Sequence, residues 1–151
     1  MAKKIIILFF ILTMHGCGFN PIYNSSNETE YKISINKMTG DDFINNIIRN
    51  EIYKSSNKNS KKTLEININT IYEKVILSND TKGSPSEFQL IANTELQIII
   101  NNKTIINNYV EKQIIKNTSD SYGQKNYEEN IKENFAASIS RKFNIKLLTF
   151  K

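Results

Sequence analysis

Residues 88–100 form the longest alternating run in the chain, and this run constrains the fold more than any other feature. One set of alternate positions holds Phe88, Leu90, Ala92, Thr94, Leu96, Ile98 and Ile100, and the positions between them include Gln89, Asn93, Glu95 and Gln97. Because successive side chains of a strand point to opposite faces, this period of two predicts a strand with one buried and one wet face. Such a strand belongs to a sheet that must be covered on one side.

Three further strands are predicted from the same period. The first covers residues 31–38, and the second begins near Leu64 and continues through Tyr72. Its phase slips before Val75 and Leu77, which predicts a bulge or a bend. The last strand covers residues 104–116.

Turns separate these strands. Asn101-Asn102-Lys103 predicts a tight hairpin turn, since Asn tolerates positive φ. Residues 79–85 contain Gly83 and Pro85 and predict a loop.

Two segments have helical spacing. The first places Phe43, Ile44, Ile47, Ile48 and Ile52 on one face and Asn45, Asn46, Arg49, Asn50 and Glu51 on the wet side. The second carries Tyr127, Ile131, Phe135, Ile139 and Phe143 at four-residue steps. Asp41 or Asp42 can cap the first helix, and Asp120 or Ser121 the second.

The order β-α-β-β-β-α therefore predicts an α+β fold. Antiparallel strands with one wet face need helices on the other face. We expect two helices packed on one face of a mostly antiparallel, roughly four-stranded sheet.

The N-terminus has the layout of a lipoprotein signal peptide. Lys3 and Lys4 precede an apolar stretch of about 10 residues, whereas a helix needs about 20 to span a bilayer. Gly16 then precedes Cys17, as in the site where a bacterial lipoprotein receives its diacylglycerol group and is cleaved. A plain signal peptide with an incidental Cys, or an uncleaved signal anchor, is the alternative.

This interpretation divides the chain into three parts. Residues 1–16 are the signal peptide, residues 17–30 a lipidated flexible tether rich in small polar side chains, and residues 31–151 the folded domain.

The residue types that are missing exclude several classes of enzyme. Cys17 is the only Cys and His15 the only His, and His15 would be lost with the signal peptide. Ser-His-Asp and Cys-His chemistry are therefore excluded from the mature domain, and a zinc site is disfavoured. The formal net charge is +5, and losing Lys3 and Lys4 would leave +3, which does not indicate a nucleic-acid partner.

Two acidic pairs are candidates for acid/base roles. Asp41-Asp42 and Glu128-Glu129 both lie in the early part of a predicted helix. Acidic groups there accept from free N–H groups and complement the dipole, so capping explains both pairs. We expect that the protein is not an enzyme.

The stretch Cys17-Gly18-Phe19-Asn20-Pro21-Ile22-Tyr23 resembles the start of LptE, the lipopolysaccharide-assembly lipoprotein, in its alphaproteobacterial branch. Arg49-Asn50 in the first helix resembles an Arg-Asn pair common in that family, and the element order agrees with it. The resemblance in specific residues is confined to these two segments, while the layout agrees along nearly the whole chain.

The resemblance implies an outer-membrane lipoprotein without a cofactor, anchored through Cys17 on the periplasmic side. Its partner would be the barrel LptD, which LptE plugs and helps to fold, and its ligand would be lipopolysaccharide. Gly18 rather than Asp after Cys17 favours sorting to the outer membrane.

Four loop lysines are candidates for contacting lipopolysaccharide phosphates within this model: Lys61, Lys62, Lys82 and Lys103. Solubility is the alternative role for each of them. For the whole protein, the alternatives are another small outer-membrane lipoprotein, such as a pilotin or a barrel-assembly scaffold, and an exported enzyme that uses carboxylates.

Overall fold

The computed structural model describes residues 29–101 and 103–150. The elements are β1 (Lys32–Gly40), α1 (Asp42–Lys54), β2 (Thr63–Asn79), β3 (Pro85–Ile100), β4 (Lys103–Lys116) and α2 (Ser121–Leu147). This order and the single four-stranded sheet confirm the predicted α+β fold. The predicted signal peptide, Cys17 and the tether up to residue 28 lie outside the described residues.

The sheet has the strand order β1-β2-β3-β4. The β2–β3 and β3–β4 pairs are antiparallel hairpins, whereas β1 and β2 are parallel. A parallel pair needs a long crossover connection, and α1 provides it. We call the end of the sheet where β1 and β2 begin the proximal end, and the end with the β2–β3 turn the distal end.

A glycine joins β1 to α1. Gly40 has a φ of 90°, and a Cβ at this position would lie 1.9 Å from the Thr70 carbonyl oxygen. The same oxygen accepts a 2.8 Å hydrogen bond from the Asp41 N–H. The Asp41 side chain then caps α1 by accepting from the Ile44 N–H at 2.9 Å, as the sequence predicts.

Helix α1 buries a polar residue that the spacing places on the wet side. Asn45 has no exposed surface, and its Nδ2 donates to the Thr39 carbonyl at 2.8 Å, so the prediction is wrong for this residue. Phe43, predicted on the apolar face, is 39% exposed. In the first turn of α1, Asn45 rather than Phe43 therefore faces the end of β1, where the Thr39 carbonyl satisfies its amide.

The phase slip in β2 is not a bulge before Val75. Pairing with β3 is regular from Glu65 to Ile76, and the irregularity lies around Leu77. Instead, Ile71 and Val75 stand on the face opposite to the buried Leu64 and Ile66. The slip therefore arises because the apolar residues shift from the buried face to the opposite face, while the strand continues without a bulge between them.

Helix α2 buries a stripe that begins one step later than predicted. Tyr127 is 52% exposed, whereas the buried residues are Ile131, Phe135, Ala136, Ile139, Ser140, Phe143 and Leu147. Lys132 bonds Asp41 at the start of α1, so Tyr127 lies beyond the level where α1 begins and has no neighbouring helix there. Asp120 caps α2 by accepting from the Gly123 N–H at 3.0 Å.

The two turns follow the predicted chemistry. Asn101 has a φ of 48° between β3 and β4, and Asn102 lies outside the described residues. In the β2–β3 turn, Gly83 has a φ of 82°, and Asp80 Oδ1 accepts from the N–H groups of Lys82 and Ser84. Neither helix in the described part of the chain is long and apolar enough to cross a membrane.

Candidate functional site

One face of the sheet is left without a helix on it. Both helices pack on the face that carries Leu64, Leu90 and Ile98, and these side chains form the core. The opposite face, which we call the outer face, carries the alternate residues of β2, β3 and β4. No described element covers it, so its side chains are free to meet a partner.

The part of the outer face nearest β1 is polar. A shallow depression of about 260 Å³ is lined by Lys37, Thr39, Asn67, Asn69, Glu95 and Gln97, which we call the polar patch. Its side chains bond one another: Thr39 Oγ1 donates to Asn69 Oδ1 at 2.9 Å, and Gln97 Nε2 donates to Glu95 Oε1 at 2.8 Å. These amides and carboxylates present both donors and acceptors at fixed positions.

Apolar side chains flank the outer face along β2 and β4. Each is between 43% and 54% exposed, and together we call them the apolar flanks: Ile71, Val75, Ile106, Val110 and Ile114. The register places Ile71 and Val110 on either side of Asn93, and Val75 and Ile114 on either side of Gln89. Since neighbouring strands are about 4.8 Å apart, the two flanks run about 10 Å from each other.

Strand β4 is an edge strand in the described part of the chain. It pairs with β3 alone, so its outward N–H and C=O groups meet no other described strand. Together with three of the exposed apolar residues, this edge gives β4 both a hydrogen-bonding and an apolar contact surface.

A group of charges joins the helices to the sheet on the core side. Lys132 Nζ lies 2.6 Å from Asp41 Oδ2 and 4.0 Å from the centre of the Tyr72 ring. Lys74 pairs with Glu128 on α2. Burial raises the pKa of Tyr72 to about 12, and the carboxylates of Glu128 and Asp41 add to the rise. These groups pair between elements and so tie both helices to β2.

The acidic pairs therefore have structural partners. Asp41 caps α1, as expected, but Glu128 does not cap α2, because Asp120 does so at the end of the preceding loop. Capping is thus the wrong explanation for Glu128, which pairs with Lys74 instead. Among residues 29–101 and 103–150, no group of His, Cys, Asp and Glu side chains is arranged to hold a metal ion.

The four candidate lysines do not form one site. Lys61, Lys62 and Lys103 lie at the proximal end, where β2 begins and the β3–β4 hairpin turns. Lys82 lies in the β2–β3 turn at the distal end. At about 3.3 Å per residue, β2 separates the two locations by about 50 Å.

The lysines at the proximal end are exposed. Lys62 Nζ lies 3.4 Å from Glu30 Oε2 and 5.7 Å from the centre of the Tyr31 ring. Such an exposed pair adds little to stability and exchanges easily with another anion.

The sequence predicts a wet sheet face opposite the helices, but it does not predict the apolar flanks on that face. Their signal was present in the phase slip before Val75 and in the apolar residues of the last strand, Ile106, Val110 and Ile114. Only the register shows that both sets share one uncovered face.

No protein-family model matches the chain, and no curated protein sequence matches it. Solved structures of bacterial lipoproteins do share its fold. The solution structure of lipoprotein B from Nitrosomonas europaea has a TM-score of 0.59 and 17% identity, over 84% of this chain and 88% of that one. The crystal structure of rare lipoprotein B from Shewanella oneidensis has a TM-score of 0.54 and 12% identity, over 77% of this chain and 98% of that one.

A minor lipoprotein from Acinetobacter baumannii is similar, with a TM-score of 0.52 and 11% identity over 73% of this chain and 93% of that one. At these identities the likeness shows that the fold is shared.

Proposed function

We propose that this protein is a non-enzymatic outer-membrane lipoprotein of the lipopolysaccharide translocon, acting as plug and assembly partner of an LptD-like barrel and assisting insertion of lipopolysaccharide into the outer leaflet. The uncovered outer face, with its polar patch and apolar flanks, is the observation that carries the proposal. The shared fold with lipoproteins of the rare lipoprotein B and LptE type supports it, as does the start from Cys17 to Tyr23.

The outer face has the chemistry that a barrel lumen requires. The lumen of a large membrane barrel is polar and hydrated, so a plug needs hydrogen-bonding side chains on a rigid surface. The polar patch supplies donors and acceptors on strands held in register. The apolar flanks add area whose burial contributes to affinity at about 25 cal/mol per Å².

The proposal is tested by isolating the tagged protein from solubilised membranes. We expect a large LptD-like barrel to co-purify with the wild-type protein. The variant Ile71→Asp/Val110→Asp should fold normally, since both residues are about half exposed, but should lose the barrel. The matched control is Tyr122→Asp on α2, which is 75% exposed and away from the outer face.

Several results would contradict the proposal. They are a stable complex with a secretin instead of a barrel, equal barrel recovery from the double variant and the control, or normal surface lipopolysaccharide in cells depleted of the protein.

The lipid anchor is tested separately. Cys17→Ser should abolish labelling with radioactive palmitate and leave the unprocessed precursor. Unchanged labelling would rule out Cys17 as the attachment site.

A further inference from the structure

A groove runs between the C-terminal ends of the two helices, away from the outer face. It has a volume of about 410 Å³ and is lined from α1 by Glu51 and from the C-cap by Ser55. On the α2 side it is lined by Ala137, Ser140, Asn144 and Leu148. At 1.5 Å per residue, the α2 side is about 16 Å long.

The groove combines exposed apolar side chains with unpaired polar atoms. Ile145 and Leu148, which line it, are 63% and 47% exposed. Ser140 is only 2% exposed, and its Oγ has no hydrogen-bond partner among the described residues. The buried Oδ1 of Asn144 also has none in that part of the chain. Unpaired buried polar atoms cost free energy, which an incoming N–H donor would offset.

The described chain begins beside this groove. The Thr29 N–H donates to the carbonyl of Ser55 at 2.8 Å, and Ser55 lines the groove. Thr29 is 5% exposed, and its Oγ1 bonds the Tyr31 carbonyl at 2.9 Å. The last residues of the predicted tether therefore belong to the folded domain, and the described chain begins next to the groove.

The preceding segment has matching chemistry. Phe19, Pro21, Ile22 and Tyr23 stand together in a stretch that is otherwise small and polar. From Tyr23 to Thr29 an extended chain reaches about 20 Å, which exceeds the length of the groove. Every residue of this segment except Pro21 has a backbone N–H group, the kind of donor that the oxygens of Ser140 and Asn144 can accept from.

We propose that residues 19–23 of this chain dock in the groove between α1 and α2, with Tyr23 packed on Ile145 and Leu148. Residue 17 is only two residues from the docked segment, so docking would hold it near the proximal end of the sheet. The domain would then face the membrane with that end. The inference requires neither an acyl group on Cys17 nor a barrel partner, and it is tested on the purified full chain.

The test places a photo-crosslinking phenylalanine analogue at Tyr23. We expect an adduct within one chain between position 23 and the peptide 137–148, identified by mass spectrometry. Ile145→Asp should reduce this adduct at least about tenfold, because it removes the apolar contact for an aromatic side chain. The same analogue at Tyr122, at the far end of α2, should form no adduct with that peptide.

A double-mutant cycle gives an independent readout. Tyr23→Ala and Ile145→Asp should lower the unfolding midpoint by amounts that are not additive, because both remove one contact. The matched pair Tyr23→Ala and Tyr122→Ala should be additive. Adducts between two copies, adducts elsewhere on the chain, absence of any adduct, or an additive cycle would each overturn the proposal.

Discussion

At the residue scale, Gly40 lies where the end of β1 approaches the backbone of β2 at Thr70. Its φ of 90° favours glycine, and the Thr70 carbonyl occupies the place of a Cβ at 1.9 Å. Gly83 has a similar φ of 82°, but no atom lies within 4 Å of the place where its Cβ would be. A side chain at Gly83 would therefore cause backbone strain alone, whereas a side chain at Gly40 would cause both strain and a steric clash.

We expect Gly40→Ala to lower the free energy of unfolding by about 2 to 4 kcal/mol, because it adds a backbone clash to the strain of positive φ. Gly83→Ala should cost only about 1 kcal/mol, from strain alone. Urea unfolding of both variants measures the difference, and equal losses would contradict the clash at Gly40.

Tyr72 has a raised pKa that can be measured in solution. Burial, followed by the nearby carboxylates of Glu128 and Asp41, raises its pKa from 10.0 to about 12. Its buried hydroxyl has no hydrogen-bond partner in the described residues.

The raised pKa predicts an alkaline loss of stability. Between pH 10 and about 12 the unfolded chain has released the Tyr72 proton and the folded chain has kept it, so the free energy of unfolding falls as pH rises. Tyr72→Phe should flatten this fall and remove a component near pH 12 from an ultraviolet absorbance titration. An unchanged titration curve would contradict the assignment.

At the element scale, α1 depends on one aspartate that acts in two ways. Asp41 accepts from the Ile44 N–H, and its other oxygen lies 2.6 Å from Lys132 on α2. The side chains of this pair are only 15% and 20% exposed, so the pair is less screened than those at the surface.

Replacements of Asp41 should separate its two roles. Asp41→Ala removes the cap and the ion pair and should cost about 2 kcal/mol, whereas Asp41→Asn keeps a good cap and should cost less. Asp120→Ala, which removes only the exposed cap of α2, serves as control and should cost about 1 kcal/mol. Thermal unfolding compares the three, and equal losses for Asn and Ala would show that the cap does not contribute.

At the scale of the whole molecule, the sheet places the four candidate lysines at two opposite ends, although the sequence offers all four as equivalent loop cations. Lys61, Lys62 and Lys103 share the proximal end, and Lys82 lies about 50 Å away at the distal end. One lipopolysaccharide headgroup cannot reach both locations.

We therefore expect Lys61→Glu/Lys62→Glu/Lys103→Glu to weaken binding of the purified protein to lipopolysaccharide, and Lys82→Glu to leave it nearly unchanged. The difference should shrink as salt rises, because exposed charges are screened. Equal binding by the two variants would remove the proximal lysines as phosphate contacts.

Most of the fold could be predicted because its signals are local. Alternation in residues 88–100 needs only the geometry of one strand, and Asp41 and Asp120 reveal helix starts through contacts three residues away. Asn101 and Gly83 mark turns through their own φ angles.

Two of the wrong predictions concern burial that is set by another element. Asn45 is buried because β1 offers the Thr39 carbonyl, and Tyr127 is exposed because α1 begins beyond its level. Neither fact is visible in the spacing of residues within one helix.

The sequence by itself determined which segments become strands and helices, since these follow from backbone geometry and neighbours a few residues away. The tertiary structure alone decided that β1 pairs in parallel with β2, that the exposed apolar residues of β2 and β4 share the uncovered face, and that Thr29 lies beside the α1–α2 groove. These features depend on contacts between residues far apart in the chain, whose energies no local pattern contains.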